Sequence, residues 1–242
     1  MAGEPAAGLR SPFEPTPSRD LSEALLRLDR IARHLRRECP WDREQDERSI
    51  VPHTVEEAYE VAEATEAGDD PRLLDELGDL LYQSYFLALL LEERGAGDLA
   101  AVADHCREKL IRRHPHVFGQ ARARDAAEAI GSWSRVKRDQ ERGGEVFGAV
   151  PETLPGPLYA QKVQKRAAAA GVRDRPPEES LARVRELADE LLSAGSRERR
   201  FAAVGELLFA AVDAARALAA DPELALRGAA NRYRTEVEEV SR

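Results

Sequence analysis

Five acids in this chain are spaced to meet. Glu56, Glu57 and Glu60 fall within one short run, and Glu76 and Asp79 follow after fifteen intervening residues. Acids three apart share a side of a helix. Two such helices folded back on each other would aim Glu57, Glu60, Glu76 and Asp79 at a single point. Carboxylates that close repel one another unless a cation lies between them. Oxygen ligands with no Cys or His beside them suit Mg²⁺, with Mn²⁺ as an alternative. Mg²⁺ held by carboxylates ordinarily handles phosphate, so the acids point to a metal-dependent enzyme acting on a phosphorylated substrate.

Other residues could complete such a site. Lys109 and Arg113 are four apart, as are Trp133 and Lys137, and each pair shares a helix face. Lys and Arg there could hold phosphate oxygens, although scattered surface cations give the same spacing. Trp133 fits a core as well as a ligand contact. Trp41 either stacks on a base or closes the core, and the sequence leaves both open. His114-Pro115-His116 has the form of a His-x-His metal pair, but it follows a helix end, where His and Pro are ordinary capping residues. Cys39 reads as a buried thiol. No Gly-rich phosphate loop and no GxSxG is present, so a phosphate site must be built from metal and side chains.

The elements that must carry these residues read as helices. The spacing predicts helices over Leu21–Arg37, His53–Ala67, Pro71–Arg94, Leu99–Arg113 and Asp125–Arg138, then Leu158–Ala170, Leu181–Ala194, Phe201–Ala220 and Pro222–Val240. A loop is expected from Cys39 to Pro52. Gly68-Asp69-Asp70-Pro71 is expected as the turn between the acid-bearing helices, with Asp70 the N-cap and Pro71 the first helical residue. Residues 1–19, with four prolines, are expected to be disordered. The first domain is expected over 20–138, a Gly/Pro-rich linker over 139–157, and a second domain over 158–242.

Composition narrows the function. The 242 residues carry a net charge of −9, with 33% charged and 5% aromatic residues. That balance argues against a general nucleic-acid binder and leaves room for a nucleotide. The long Ala/Leu/Glu/Arg stretches predict an all-α fold. Two distant cysteines without a paired motif suit a reducing, cytoplasmic compartment. The first residues lack the basic-then-apolar pattern of a signal peptide. The most apolar run, Leu77 to Leu91, contains Asp79 and Gln83 and is too short to span a bilayer. Leucines nearly encircle that helix, so it must be buried on most sides, which predicts a homodimer.

The second half echoes the first. Gly205-Glu206-Leu207-Leu208-Phe209 parallels Gly78-Asp79-Leu80-Leu81-Tyr82, and Glu186 and Glu190 parallel Glu56 and Glu60. Leu187 stands where Glu57 would, and Ala203 where Glu76 would. The second copy therefore keeps about half the acids.

These motifs together resemble the MazG family of nucleoside triphosphate pyrophosphohydrolases. Cys39-Pro40-Trp41-Asp42-Arg43-Glu44-Gln45 is similar to its CPWDxxQ opening. Glu56–Glu60 and Glu76–Asp79 match its EExxE and ExxD. Arg112 to Gly119 matches a segment near the end of its repeat, and Trp133 with Lys137 its WxxxK. Ala160 to Ala167 is similar to the AQKxQKRA that opens a second repeat. The resemblance covers residues 20–242. It implies a four-helix-type all-α fold with tandem repeats, dimerisation that completes the sites, and Mg²⁺-dependent cleavage of a (d)NTP to (d)NMP and pyrophosphate. It carries the metal ligands onto Glu57, Glu60, Glu76 and Asp79, with Glu56 in support, and the substrate contacts onto Lys109, Arg113, Trp133 and Lys137. The second repeat departs from the family: its acids are lost at Leu187 and Ala203, Glu236 replaces an expected Arg, and no second WxxxK follows. Activity is therefore assigned to the first repeat. Two other readings stand beside this one. One is a narrower dUTP- or dCTP-selective pyrophosphatase. The other is a regulatory or partner-binding helical protein with a vestigial site.

Overall fold

The computed structural model describes residues 20–141, 145–148, 150–172 and 174–241. They are all-α, with no strand among the described residues. The expected disorder of residues 1–19 falls outside them, as do parts of the expected linker. Contacts group the chain into two compact units, one ending at Arg107 and the other beginning at Glu108.

The first unit is built on a hairpin of α3 (Glu47–Ala67) and α4 (Asp70–Glu93), preceded by α1 (Leu21–Glu38) and the one-turn α2 (Pro40–Glu44). Two differences from the sequence reading lie in the 39–52 loop. It contains α2, and α3 begins six residues early. A capping box explains the early start: Asp46 accepts from the Ser49 N–H, and the Ser49 hydroxyl accepts from the Asp46 N–H, both at 2.9 Å. Pro52 therefore sits inside α3, where its missing N–H gives up one helical bond.

The turn to α4 closes on Gly68, whose φ of +67° is the left-handed geometry glycine tolerates best. Asp69 caps α4, accepting from the Arg72 N–H at 3.1 Å. Asp70 is the first helical residue, one position later than its expected cap role.

Ile50, Phe86 and Leu90 form the core of this unit, with Tyr82 and Leu87 packed against them. Alpha-1 is tied to the end of α4 by two forked ion pairs. Arg33 grips Glu92 at 2.6 and 2.9 Å, and Arg36 grips Glu93 at 2.8 Å through both oxygens. Arg36 also donates to the carbonyls of Asp42 and Gln45 and lies 5.7 Å from the Phe86 ring centroid. One guanidinium thus holds α1, α2 and α4 together. The expected all-round burial of α4 is only partial. Phe86 and Leu90 are buried, whereas Leu74, Leu77 and Leu81 form an exposed stripe one face over.

Alpha-5 spans Leu99–Arg113, the range the spacing predicts, and the division between the units falls within it rather than in the expected 139–157 linker. The second unit continues with α6 (Pro115–Phe118), α7 (Ala126–Glu141), α8 (Gly156–Ala169), α9 (Pro177–Leu192), α10 (Arg197–Ala217) and α11 (Pro222–Val240). Alpha-9 and α10 form a second hairpin, against which α8 packs. Its interior holds a polar knot: Asp213 accepts from the Ser180 hydroxyl at 3.1 Å and from Arg216 at 2.9 Å. On α10, Phe201, Val204 and Leu208 form an exposed stripe with the spacing of Leu74, Leu77 and Leu81.

Candidate metal and nucleotide site

The α3–α4 hairpin delivers its acids to one place. Glu57 from α3 and Glu76 and Asp79 from α4 each present a carboxylate oxygen, all within 4.8 Å of one another. Glu57 and Glu76 are half-buried and Asp79 is exposed, so the cluster opens to solvent on its Asp79 side. Gly78, beside Asp79, leaves open space where a side chain would stand.

The acids strain against each other. The Glu57 carboxyl is raised above the ordinary range, first because it is desolvated, then because it shares a hydrogen bond with Glu60 and faces Asp79, Glu60 and Glu76. A divalent cation would relieve that repulsion. The donor set is entirely oxygen, which fits Mg²⁺ or Mn²⁺ rather than a softer ion.

Glu60 thus joins the group through Glu57, while Glu56 looks elsewhere. Its carboxylate is 3.7 Å from His53 Nδ1 on the solvent side of α3. Adjacent helical residues diverge by about 100°, so Glu56 and Glu57 cannot both face α4.

Arg72 was not singled out by the sequence reading. It donates to Glu76 at 3.1 Å and to Glu63 at 2.8 Å, bridging the two helices beside the cluster. Its position four residues before Glu76 was the available signal. The Asp42–Tyr82 contact gave no such signal, because the residues are forty apart. Asp42 is buried and accepts from the Tyr82 hydroxyl at 3.1 Å, one turn beyond Asp79. Desolvation and the adjacent Asp42 charge push the Tyr82 phenol upward, so it stays a donor.

Trp41 is more than half exposed, and its ring meets the His53 ring edge-on at 6.1 Å between centroids. It does not close the core. Cys39 is half-buried rather than buried, and its N–H caps α1 by donating to the Leu35 carbonyl at 2.8 Å.

In the second unit, Trp133 lies between two cations. Arg113 Cζ is 5.2 Å and Lys137 Nζ 4.8 Å from its ring centroid. This arrangement gathers three of the four expected substrate contacts, while Lys109 lies one turn before Arg113 on α5. His114 has a helix-end role: its Nδ1 is 2.6 Å from the Leu110 carbonyl, and it caps α6.

Fold and site together define an all-helical protein whose acid-bearing hairpin is suited to a divalent cation. Comparison with known proteins gives the family. Residues 45–118 match the model of the MazG nucleotide pyrophosphohydrolase domain. A nucleoside triphosphate pyrophosphohydrolase of Escherichia coli strain K12 is 37% identical over 216 residues, covering 84% of this chain and 81% of its own length. The nucleoside triphosphate pyrophosphohydrolase/pyrophosphatase MazG of Thermotoga maritima is 35% identical over 198 residues, 81% of this chain and 76% of its own. A 26.1 kDa protein of Streptomyces cacaoi is 35% identical over 213 residues, 87% of this chain and 79% of its own. The chain belongs to the MazG family of nucleotide pyrophosphohydrolases.

Proposed function

We propose that this protein hydrolyses nucleoside triphosphates between the α and β phosphates, releasing (d)NMP and pyrophosphate, with Mg²⁺ as its cofactor. The observation that carries the reading is the convergence of Glu57, Glu76 and Asp79 within 4.8 Å in a chain of this family.

Glu57, Glu60, Glu76 and Asp79 would hold the metal. When bound, Mg²⁺ neutralises charge on the triphosphate and its pyrophosphate leaving group. Glu60, which joins the cluster through Glu57, orients a water or accepts its proton for attack on the α-phosphorus, while Glu56, turned to His53, stays outside that step. Arg72 fixes Glu76 in place. Lys109, Arg113 and Lys137 balance phosphate charge, and the Trp133 and Trp41 rings offer flat faces to substrate.

The protein acts as a cytoplasmic homodimer in nucleotide-pool housekeeping. The exposed Leu74–Leu77–Leu81 stripe supports dimerisation, since apolar surface of that kind is ordinarily covered. No described helix is long and apolar enough to cross a membrane.

The test is pyrophosphate release with Mg²⁺ across the common ribo- and deoxyribonucleoside triphosphates and several oxidised ones. Release from several of them is expected. Release from dUTP or dCTP alone would replace the broad reading with a selective enzyme. Release from none would leave a regulatory helical protein in its place.

A further inference from the structure

The second unit holds a cavity of about 480 Å³ among α8, α9 and α10 that the reaction above does not use. Ligand pockets ordinarily span roughly 300–1,000 Å³. Leu187 and Glu206 both line it. In the sequence these two stand where the first half has Glu57 and Asp79. The echo between the halves thus leads to a cavity at the counterpart of the acid cluster. There, one acid has been replaced by a buried leucine.

The lining is that of a binding site without metal chemistry. Val163, Leu187 and Phe209 give it an apolar wall suited to a flat ring. Gln164 is only 7% exposed, and its Nε2 donates to the Phe209 carbonyl at 2.8 Å. That bond orients the amide and leaves Oε1 as a buried acceptor with no partner. A buried acceptor of this kind favours a ligand N–H.

Two guanidiniums complete the lining. Arg175 is 3.7 Å from Asp213, which already accepts from Arg216 and Ser180. Arg183 meets Glu186 and Glu190 at 3.1 and 3.4 Å on an exposed face. Exposed pairs of that kind are weak and readily exchanged for phosphate oxygens. The four charged residues of the lining, Arg175, Arg183, Glu206 and Asp213, sum to zero. Such a site suits the least charged nucleotides, not a triphosphate whose charge needs a metal.

We propose that this cavity binds a nucleoside monophosphate without metal, its base against Phe209 and Gln164 and its phosphate on Arg183. That the ligand is also the reaction's product, and so a feedback signal, rests on the proposed function. The binding itself does not.

The test is calorimetry on the full chain in EDTA with AMP, GMP, CMP and UMP, with inorganic phosphate and the nucleosides as comparison ligands. At least one monophosphate should bind, equally well to wild type and to a Glu57→Gln/Asp79→Asn variant. Arg183→Ala and Gln164→Leu should each weaken it tenfold or more. If Gln164→Leu fails to fold, the exposed Arg183→Ala decides alone. No metal-free binding at millimolar ligand, or binding unmoved by Arg183→Ala, would overturn the site. Phosphate or nucleoside binding as tightly as the monophosphate would overturn the ligand assignment. Pyrophosphate release by the wild type is read separately, so failure here and failure of the hydrolase reading remain distinct.

Discussion

Asp79 is the exposed member of the acid cluster, so its chemistry separates from folding. Asp79→Asn and Glu60→Gln should lower turnover more than about a hundredfold, beyond the usual loss from a partner outside the ligands. Their circular dichroism should stay that of the wild type, and without metal they should melt at the wild-type temperature or slightly above it, because each removes one of the charges facing Glu57. A variant retaining most of its kcat at saturating Mg²⁺ would remove that residue from the site. Glu57 also makes a pH-dependent contribution. Its carboxyl is raised in the folded state, so between the unfolded and folded values the native protein binds more protons. Stability then falls as pH rises through that window, and the penalty is complete above it. Glu92 and Glu93 act with the opposite sign: Arg33 and Arg36 lower their carboxyls, giving stability that is lost on acidification. Comparison with Glu57→Gln in EDTA isolates the first effect. The variant should melt above wild type near neutrality, and the gap should close on titration from about pH 7 to about pH 4. A gap that stays constant would contradict the repulsion. The sequence showed which acids could meet, because spacing fixes a helix face. It did not show that Glu56 turns to His53, because both members of a Glu-Glu pair lie within one broad acidic sector.

Among the elements, helix interiors are legible and several helix entries are not. The Leu99–Arg113 and Pro222–Val240 ranges agree with the sequence reading, because apolar periodicity ends there at strong stops or caps. Alpha-3 begins before the expected His53, with Pro52 inside it rather than at its boundary. The capping box at Asp46 and Ser49 and the burial of Ile50 outweigh one missing helical bond. Two adjacent aspartates before Pro71 left the α4 cap ambiguous by one residue, and only the Asp69 contact with the Arg72 N–H resolves it. The turn between the site helices has its own test. Gly68 is left-handed, so Gly68→Ala should cost about 1–2 kcal/mol, read as a lower urea midpoint at unchanged slope. An unchanged midpoint would mean that the turn relaxes elsewhere.

For the whole molecule, the sequence places a linker at 139–157, where Gly and Pro gather, while contacts divide the chain inside α5. Gly and Pro mark where a chain turns. They carry no record of which helices share a core, and a helix crossing a boundary leaves no compositional trace. The exposed stripe on α4 likewise lies on a helix whose leucines the sequence reads as buried on most sides. Covering a leucine contributes about 1.5–3 kcal/mol, which favours a second copy. Light scattering at low micromolar concentration should give about twice the 26.8 kDa chain mass, and Leu77→Lys with Leu81→Lys should return it to the single-chain value. A wild-type mass near 27 kDa with full activity would exclude the dimer.

Gly68 also bears on how quickly the protein is made. All the converging acids lie between residues 57 and 79, on either side of that one turn. A loop this short closes early and at little entropic expense, so the hairpin is a natural folding nucleus. Without a counterion, its closure brings like charges together. Divalent cations should therefore speed refolding itself, raising the folding limb of a stopped-flow chevron at unchanged slope and not merely lowering the unfolding limb. An accelerated folding limb that persists in Asp79→Asn would place the cation's effect somewhere other than the acid cluster.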